Sequence, residues 1–282
     1  MGVNLESRQN NRLYQQQPIS GWSRLPAVRC QDYPVRIHTL GRFSVQLHHQ
    51  VVVTKQARQQ RPMELLQALI ALGGRGISTE LLSQLLWPDA DGDAASNTFD
   101  VTLHRLRRLL DIRDLLLLRD HRLSLNSDLA WVDVWTFERL VNHAERLLVR
   151  ANNPVVLRQL ARIGERLLTL YQGGFLDRES GNTWSLTLRE RLRSKLLRHI
   201  LDTGLIWEQC NEWEQAVRLY RKGLEVDPLP EELYQRLMLC YRATGRRGDA
   251  LAVYHRCQDI LYRHFQIQPS KETLELYASI KA

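Results

Sequence analysis

A period of 34 residues constrains this chain more than any other feature. Trp207, Ala216, Tyr220 and Gly223 are followed, each 34 positions later, by Tyr241, Ala250, Tyr254 and Cys257, in a region where apolar residues recur at helical spacing. A helical unit repeating at this length is a pair of helices that cannot bury its apolar face alone and must stack on its neighbours. Gly204, Ala216 and Gly223 are small enough to let two helices approach, and the aromatic rings of Trp207 and Tyr220 can fill the space between them, with Pro228 following. These side chains read as core, so any function of the array would lie on its concave surface.

The helical period reaches back to Trp131. Phe137, Leu140, Val141, Ala144 and Leu147-Leu148 make one amphipathic segment, and Leu157, Leu160, Ile163 and Leu167-Leu168 a second after Pro154. A third, from about Ser185, carries Leu188, Leu192, Leu196, Ile200 and Leu205.

Before Trp131 the pattern differs. Val35, Ile37 and Thr39, then Phe43, Val45 and Leu47, alternate as strands of a small antiparallel sheet with one buried face, and a further short run begins at Gln50. The adjacent His48 and His49 invite a metal reading, but without a second ligand cluster they fit a hairpin turn better. A helix begins near Arg61-Pro62 and ends at Gly73-Gly74; a shorter one, with Ser78 at its start and Leu81, Leu82, Leu85 and Leu86 along it, ends at Trp87-Pro88. Gly73-Gly74-Arg75-Gly76 lacks the following Lys-Ser/Thr of a phosphate-cradling loop and reads as a turn.

After an acidic loop, Asp93 to Asp111 forms an amphipathic helix. Phe99, Leu103, Leu106 and Leu110 lie on its apolar side; Asn97, Val101, His104, Arg105 and Arg108 lie opposite, with Asp100 on the flank. Amide, methyl, imidazole and guanidinium groups on one face are the inventory that reads the DNA major groove. A merely solvated basic face is the plain alternative. Next comes LLLLRDHRLSL, two strands joined by Arg119-Asp120-His121-Arg122, a hairpin with cations at its tip that would serve as a wing beside the helix. Short helix, loop and basic helix is the order of a helix-turn-helix.

The net charge of +8 over 282 residues favours an anionic partner, and because no segment is a basic block, contact must come from a local patch. Residues 1–34, rich in Asn, Gln and Arg and broken by Pro18, Gly21, Pro26 and Pro34, read as a flexible tail. Cys30, Cys210, Cys240 and Cys257 form no CxxC pair, as expected of reduced thiols in a cytoplasmic protein. No apolar run has the length of a membrane span. With no Ser/His/Asp or Cys/His arrangement on one surface, no metal cluster and no nucleotide loop, neither an enzyme nor a cofactor is expected.

Thr98 to Arg108, TFDVTLHRLRR, resembles the recognition helix of the OmpR/PhoB-type winged helix, and the strands before the first helix resemble that fold's N-terminal sheet. The resemblance implies base contacts from Asp100, Val101 and Arg105, with Thr102, His104 and Arg108 toward the phosphates. Asn97 and the wing arginines Arg119 and Arg122 complete the expected DNA-binding set; His104 and Asn97 stand where that family often has Arg. The 34-residue period is that of the tetratricopeptide repeat. Tyr171-Gln172-Gly173-Gly174-Phe175-Leu176, Trp184, Arg189 to Arg193, Phe265 to Pro269 and Leu274 to Tyr277 resemble the bacterial transcriptional activator domain. A winged helix followed by that domain is similar to the antibiotic-regulatory, SARP-type activators.

The expected fold is mainly α: a tail at 1–34, an α+β winged helix-turn-helix at 35–130 and an all-α tetratricopeptide-like domain at 131–282. The resemblance implies a sequence-specific transcriptional activator that binds double-stranded promoter DNA, contacts RNA polymerase and its sigma subunit, and sets two protomers on repeated sites. A tetratricopeptide scaffold whose winged helix binds protein is the alternative. Because the basic helix and wing precede Trp131, a fragment ending near Ser127 is expected to keep DNA preference without activating.

Overall fold

A computed structural model describes residues 30–52, 60–149, 154–177 and 183–282, so most of the expected tail lies outside the described residues. Residues 33–282 form one compact unit. Strands β1 (Val35–His38), β2 (Ser44–Leu47) and β3 (Gln50–Val51) pair antiparallel as expected. His48 and His49, at φ 45° and 71°, are the turn residues between β2 and β3. Arg36 Nη2 donates to His49 Nδ1 at 3.0 Å.

A fourth strand differs from the sequence-based expectation. β7 (Ala130–Val132) runs parallel to β1, with Val35 opposite Ala130 and Ile37 opposite Val132, so Trp131 is a strand residue and the expected boundary at 130 falls inside a sheet. Its three residues are all buried and too few to show alternation. Parallel pairing with a strand so distant in sequence also leaves no hairpin turn to detect.

Between these sheet strands lie α1 (Gln60–Ala71), β4 (Ile77–Ser78), α2 (Thr79–Leu86), α3 (Gly92–Leu110), β5 (Leu116–Arg119) and β6 (Arg122–Leu125). The three helices pack on one another, and β4, β6 and β5 form a second sheet beside them. This is a winged helix-turn-helix. Ser78 stands at the start of α2, yet its side chain makes no capping hydrogen bond; as the last residue of β4 it pairs with Arg122 of β6.

From Asp133 the chain is helical: α4 (Asp133–Leu148), α5 (Pro154–Leu170), α6 (Leu186–Gln209), α7 (Trp213–Val226), α8 (Glu231–Ala243), α9 (Arg247–Phe265) and α10 (Lys271–Lys281). The repeat is visible in the element ends: α6 stops at 209 and α8 at 243, α7 starts at 213 and α9 at 247, each pair 34 apart. Ala216, Tyr220, Ala250 and Cys257 are buried where the period places them. Gly204 shows why the position is small, since a Cβ there would stand 2.3 Å from the Tyr220 ring. The Tyr220 hydroxyl donates to Glu208 at 2.6 Å, and Arg236 pairs with the same carboxylate, which ties α6, α7 and α8 together. Burial, then the Glu208 carboxylate, holds the Tyr220 phenol far above its ordinary range, so it stays a donor. Burial likewise pushes the Cys240 and Cys257 thiols up to about 12, which leaves them unreactive.

His199 sits buried on α6, and a Cβ on Gly164 of α5 would approach its Nε2 to 3.5 Å. Burial pushes its pKa down to about 4 from the usual 6.5. The folded value is the lower one, so this contribution to stability is complete above pH 6.5 and is lost as pH falls toward 4. At pH 5 the loss should be about 2 kcal/mol. Urea titrations across this window should show the slope, and His199→Leu should flatten it.

Candidate nucleic-acid interface

Helix α3 packs against α1 and α2, burying Phe99, Leu103, Leu106 and Leu110. That burial fixes which side faces outward. Asn97, Asp100, Val101, His104, Arg105 and Arg108 are exposed, and Val101, a residue type that usually hides, is 49% exposed among them. Thr102 does not join them. It is 5% exposed and its hydroxyl donates to the Thr98 carbonyl at 2.7 Å, because position 102 follows Phe99 by three residues and turns toward the buried side. The expected phosphate role therefore lacks an available hydroxyl. Thr98 bonds back to Ala94 in the same way, at 2.7 Å.

Asp111, in left-handed conformation at φ 43°, ends α3 and turns the chain toward the wing. Arg107, which the sequence reading left out of the site, links the two: its Nη2 donates to the Leu116 carbonyl at 3.1 Å and so ties β5 to the helix. In the wing, Arg119 and Arg122 are paired across the hairpin and flank Asp120 and His121, both at positive φ, 48° and 55°. This two-residue turn matches the strand twist and presents Arg119 and Arg122 side by side at the tip. Arg122 Nη1 donates to the Gly76 carbonyl at 2.9 Å, while Ser124 Oγ accepts from the Gly76 amide at 2.8 Å. Gly76, Leu117, Arg119, Asp120, Arg122 and Ser124 line a shallow concavity there.

Among the described residues, Asn97, Asp100, His104, Arg105, Arg108 and Arg119 have no side-chain hydrogen bond or ion pair within the chain. Their polar groups are available to a partner. Elsewhere many cations are already paired, as Arg191 and Lys195 are with Glu138, and Arg193 with Glu190 and Asp227. No group of metal-ligating side chains occurs among the described residues. The exposed face thus offers amide, carboxylate, methyl and guanidinium groups on a rigid helix, with a cationic hairpin beside it.

Residues 132–281 match the family model described as Bacterial transcriptional activator domain. Among solved structures, the chain is similar to Mycobacterium tuberculosis EmbR in complex with low affinity phosphopeptide, with a TM-score of 0.65 and 18% sequence identity. The match covers 88% of this chain and 65% of that one, so the present chain spans under two thirds of that protein's length. At that identity the likeness concerns the fold. No curated protein matches the chain.

Proposed function

The chain belongs to the bacterial transcriptional activator domain family, whose members regulate transcription and are not enzymes, and we propose that it reads promoter DNA through α3 and the wing. The observation that carries this reading is the exposed face of α3, where Asn97, Asp100, Val101, His104, Arg105 and Arg108 stand unpaired on a helix whose other side is locked into a core. In this reading Arg105, with Asp100 and Val101 about one turn before it, meets base edges, Arg pairing with guanine and the Val methyls with thymine. In this reading Arg108, Arg119 and Arg122 clamp phosphates and set the register. The target is double-stranded DNA in the cytoplasm, bound by two protomers on repeated half-sites. Residues 35–130 do the reading, and residues 131–282 contact RNA polymerase and its sigma subunit. Among the described residues, no helix is long and apolar enough to cross a membrane.

Arg105→Ala should cost about 1–3 kcal/mol on the preferred site and relax preference at one base pair. Arg108→Ala should weaken binding to all sequences alike and lower the dependence of log K on log salt by about one unit. Mobility shifts on matched and scrambled fragments over a salt series separate the two outcomes. If Arg105→Ala binds its site as tightly as the parent, the orientation assigned to α3 is wrong.

A further inference from the structure

The Tyr171–Leu176 stretch and Arg189 lie outside the surface proposed to face DNA, yet they meet the chain that leaves β1. Leu40 and Phe175 form an isolated antiparallel bridge. The Gly41 amide donates to the Gly174 carbonyl at 3.0 Å, and the Leu176 amide to the Thr39 carbonyl at 2.8 Å. The backbones come so close that a Cβ on Gly41, already at φ +104°, would stand 3.3 Å from the Gln172 backbone, and one on Gly173 3.0 Å from the Gly41 Cα.

Arg189, on α6, holds the far side of this loop. Its Nε donates to the Phe175 carbonyl at 2.9 Å and its Nη2 to the Leu176 carbonyl at 2.8 Å, with Asp177 3.7 Å from Nη1. Leu176 is fully buried at φ 51°, a conformation that a leucine keeps only where its surroundings hold it. From the other direction, Asp133 at the start of α4 accepts from the Thr39 and Leu40 amides at 2.7 and 2.9 Å and from the Thr39 hydroxyl at 2.6 Å. The short segment Thr39–Gly41 is therefore gripped both by α4 and by the loop that Arg189 supports.

We propose that this clasp transmits DNA binding to the activating surface, and that Arg189 is the positioning residue that keeps it closed. The inference rests on the DNA-reading function proposed above. The element that would carry the coupling is the hydrogen-bonded contact of the β1 exit with the 174–176 backbone and the Arg189 guanidinium. The planar fork of Arg meets two successive carbonyls at once, a geometry that a lysine ammonium does not reproduce.

The test uses the full chain with Arg189→Met, Arg189→Lys and, from the strand side, Gly41→Ala. Arg189→Met should speed hydrogen exchange at the Gly41 and Leu176 amides about tenfold or more. It should leave affinity for a preferred DNA site within about threefold of the parent. Transcription in vitro from that site should fall about tenfold. Arg189→Lys should fall between parent and Met, and Gly41→Ala should repeat the Met result. Faster exchange with undiminished transcription would overturn the proposal, and so would DNA affinity lost in step with transcription. Unfolding of both Arg189→Met and Gly41→Ala would overturn it as well, since the contact would then serve folding alone. A parent chain without DNA sequence preference would defeat the underlying reading before any variant is made, so the two failures are distinguishable.

Discussion

Ala216→Glu is expected to unfold the helical half, or to bring it close to unfolding. Ala216 lies fully buried on α7, on the same helix as buried Val217 and Tyr220. A glutamate there would either bury a carboxylate without a partner or push α7 off α6. The expected cost is about 3–5 kcal/mol, the scale of an uncompensated buried charge. Total stabilities of about 5–15 kcal/mol leave little after such a loss. Ala250→Glu should behave alike, because Ala250 is fully buried on α9 at the equivalent place, 34 residues on. Thermal and urea unfolding measure both, and unchanged melting in both variants would contradict the repeat register.

The second large effect is expected at Asp133. Burial pushes its carboxyl above the usual range, opposed by the hydrogen bonds from Leu40 and Thr39. It persists because three donors of the β1 exit depend on it. Asp133→Ala would remove the acceptor of three buried amides, those of Thr39, Leu40 and Val134, and of the Thr39 hydroxyl; each group left unpaired costs about 1–3 kcal/mol, for a total of about 3 kcal/mol or more after relaxation. Asp133→Asn keeps one carbonyl acceptor and should lose less. Urea unfolding gives both values; a loss under about 1 kcal/mol for Asp133→Ala would show that relaxation or water replaces these bonds.

Wherever the pattern was local, the chain could be read without its structure. Phe99, Leu103, Leu106 and Leu110 give α3 its buried side by spacing alone, and the tip from Arg119 to Arg122 marks its own hairpin. The 34-residue repeat places Ala216 and Ala250 in the interior before any coordinate is known. What was hidden is non-local. Nothing near Ala130–Val132 announces that it pairs with β1, and nothing near Asp133 announces that its carboxylate answers Thr39 and Leu40. Thr102 was hidden for a subtler reason: its polar side chain suggests an outward face, but a threonine in a helix can satisfy its own hydroxyl on the preceding turn and remain buried.

These non-local links also change what a fragment would do. A chain ending near Ser127 lacks β7, Asp133 and the loop bridged to Leu40, so β1 loses a parallel neighbour and the support of its exit. Such a fragment is expected to keep DNA preference at lowered affinity, because the helical half buttresses the reading half at these contacts. Comparisons of function are therefore better made with the full chain and point variants.

The central claim is that α3 and the wing read a DNA sequence, and selection from a random double-stranded DNA pool by the full chain tests it most directly. After several rounds at moderate salt, the account predicts enrichment of one short motif, present as repeated half-sites, whose recovery is abolished or redirected by Arg105→Ala. A pool that stays random while the protein remains folded, or an enriched motif that Arg105→Ala leaves unchanged in sequence and affinity, would contradict it.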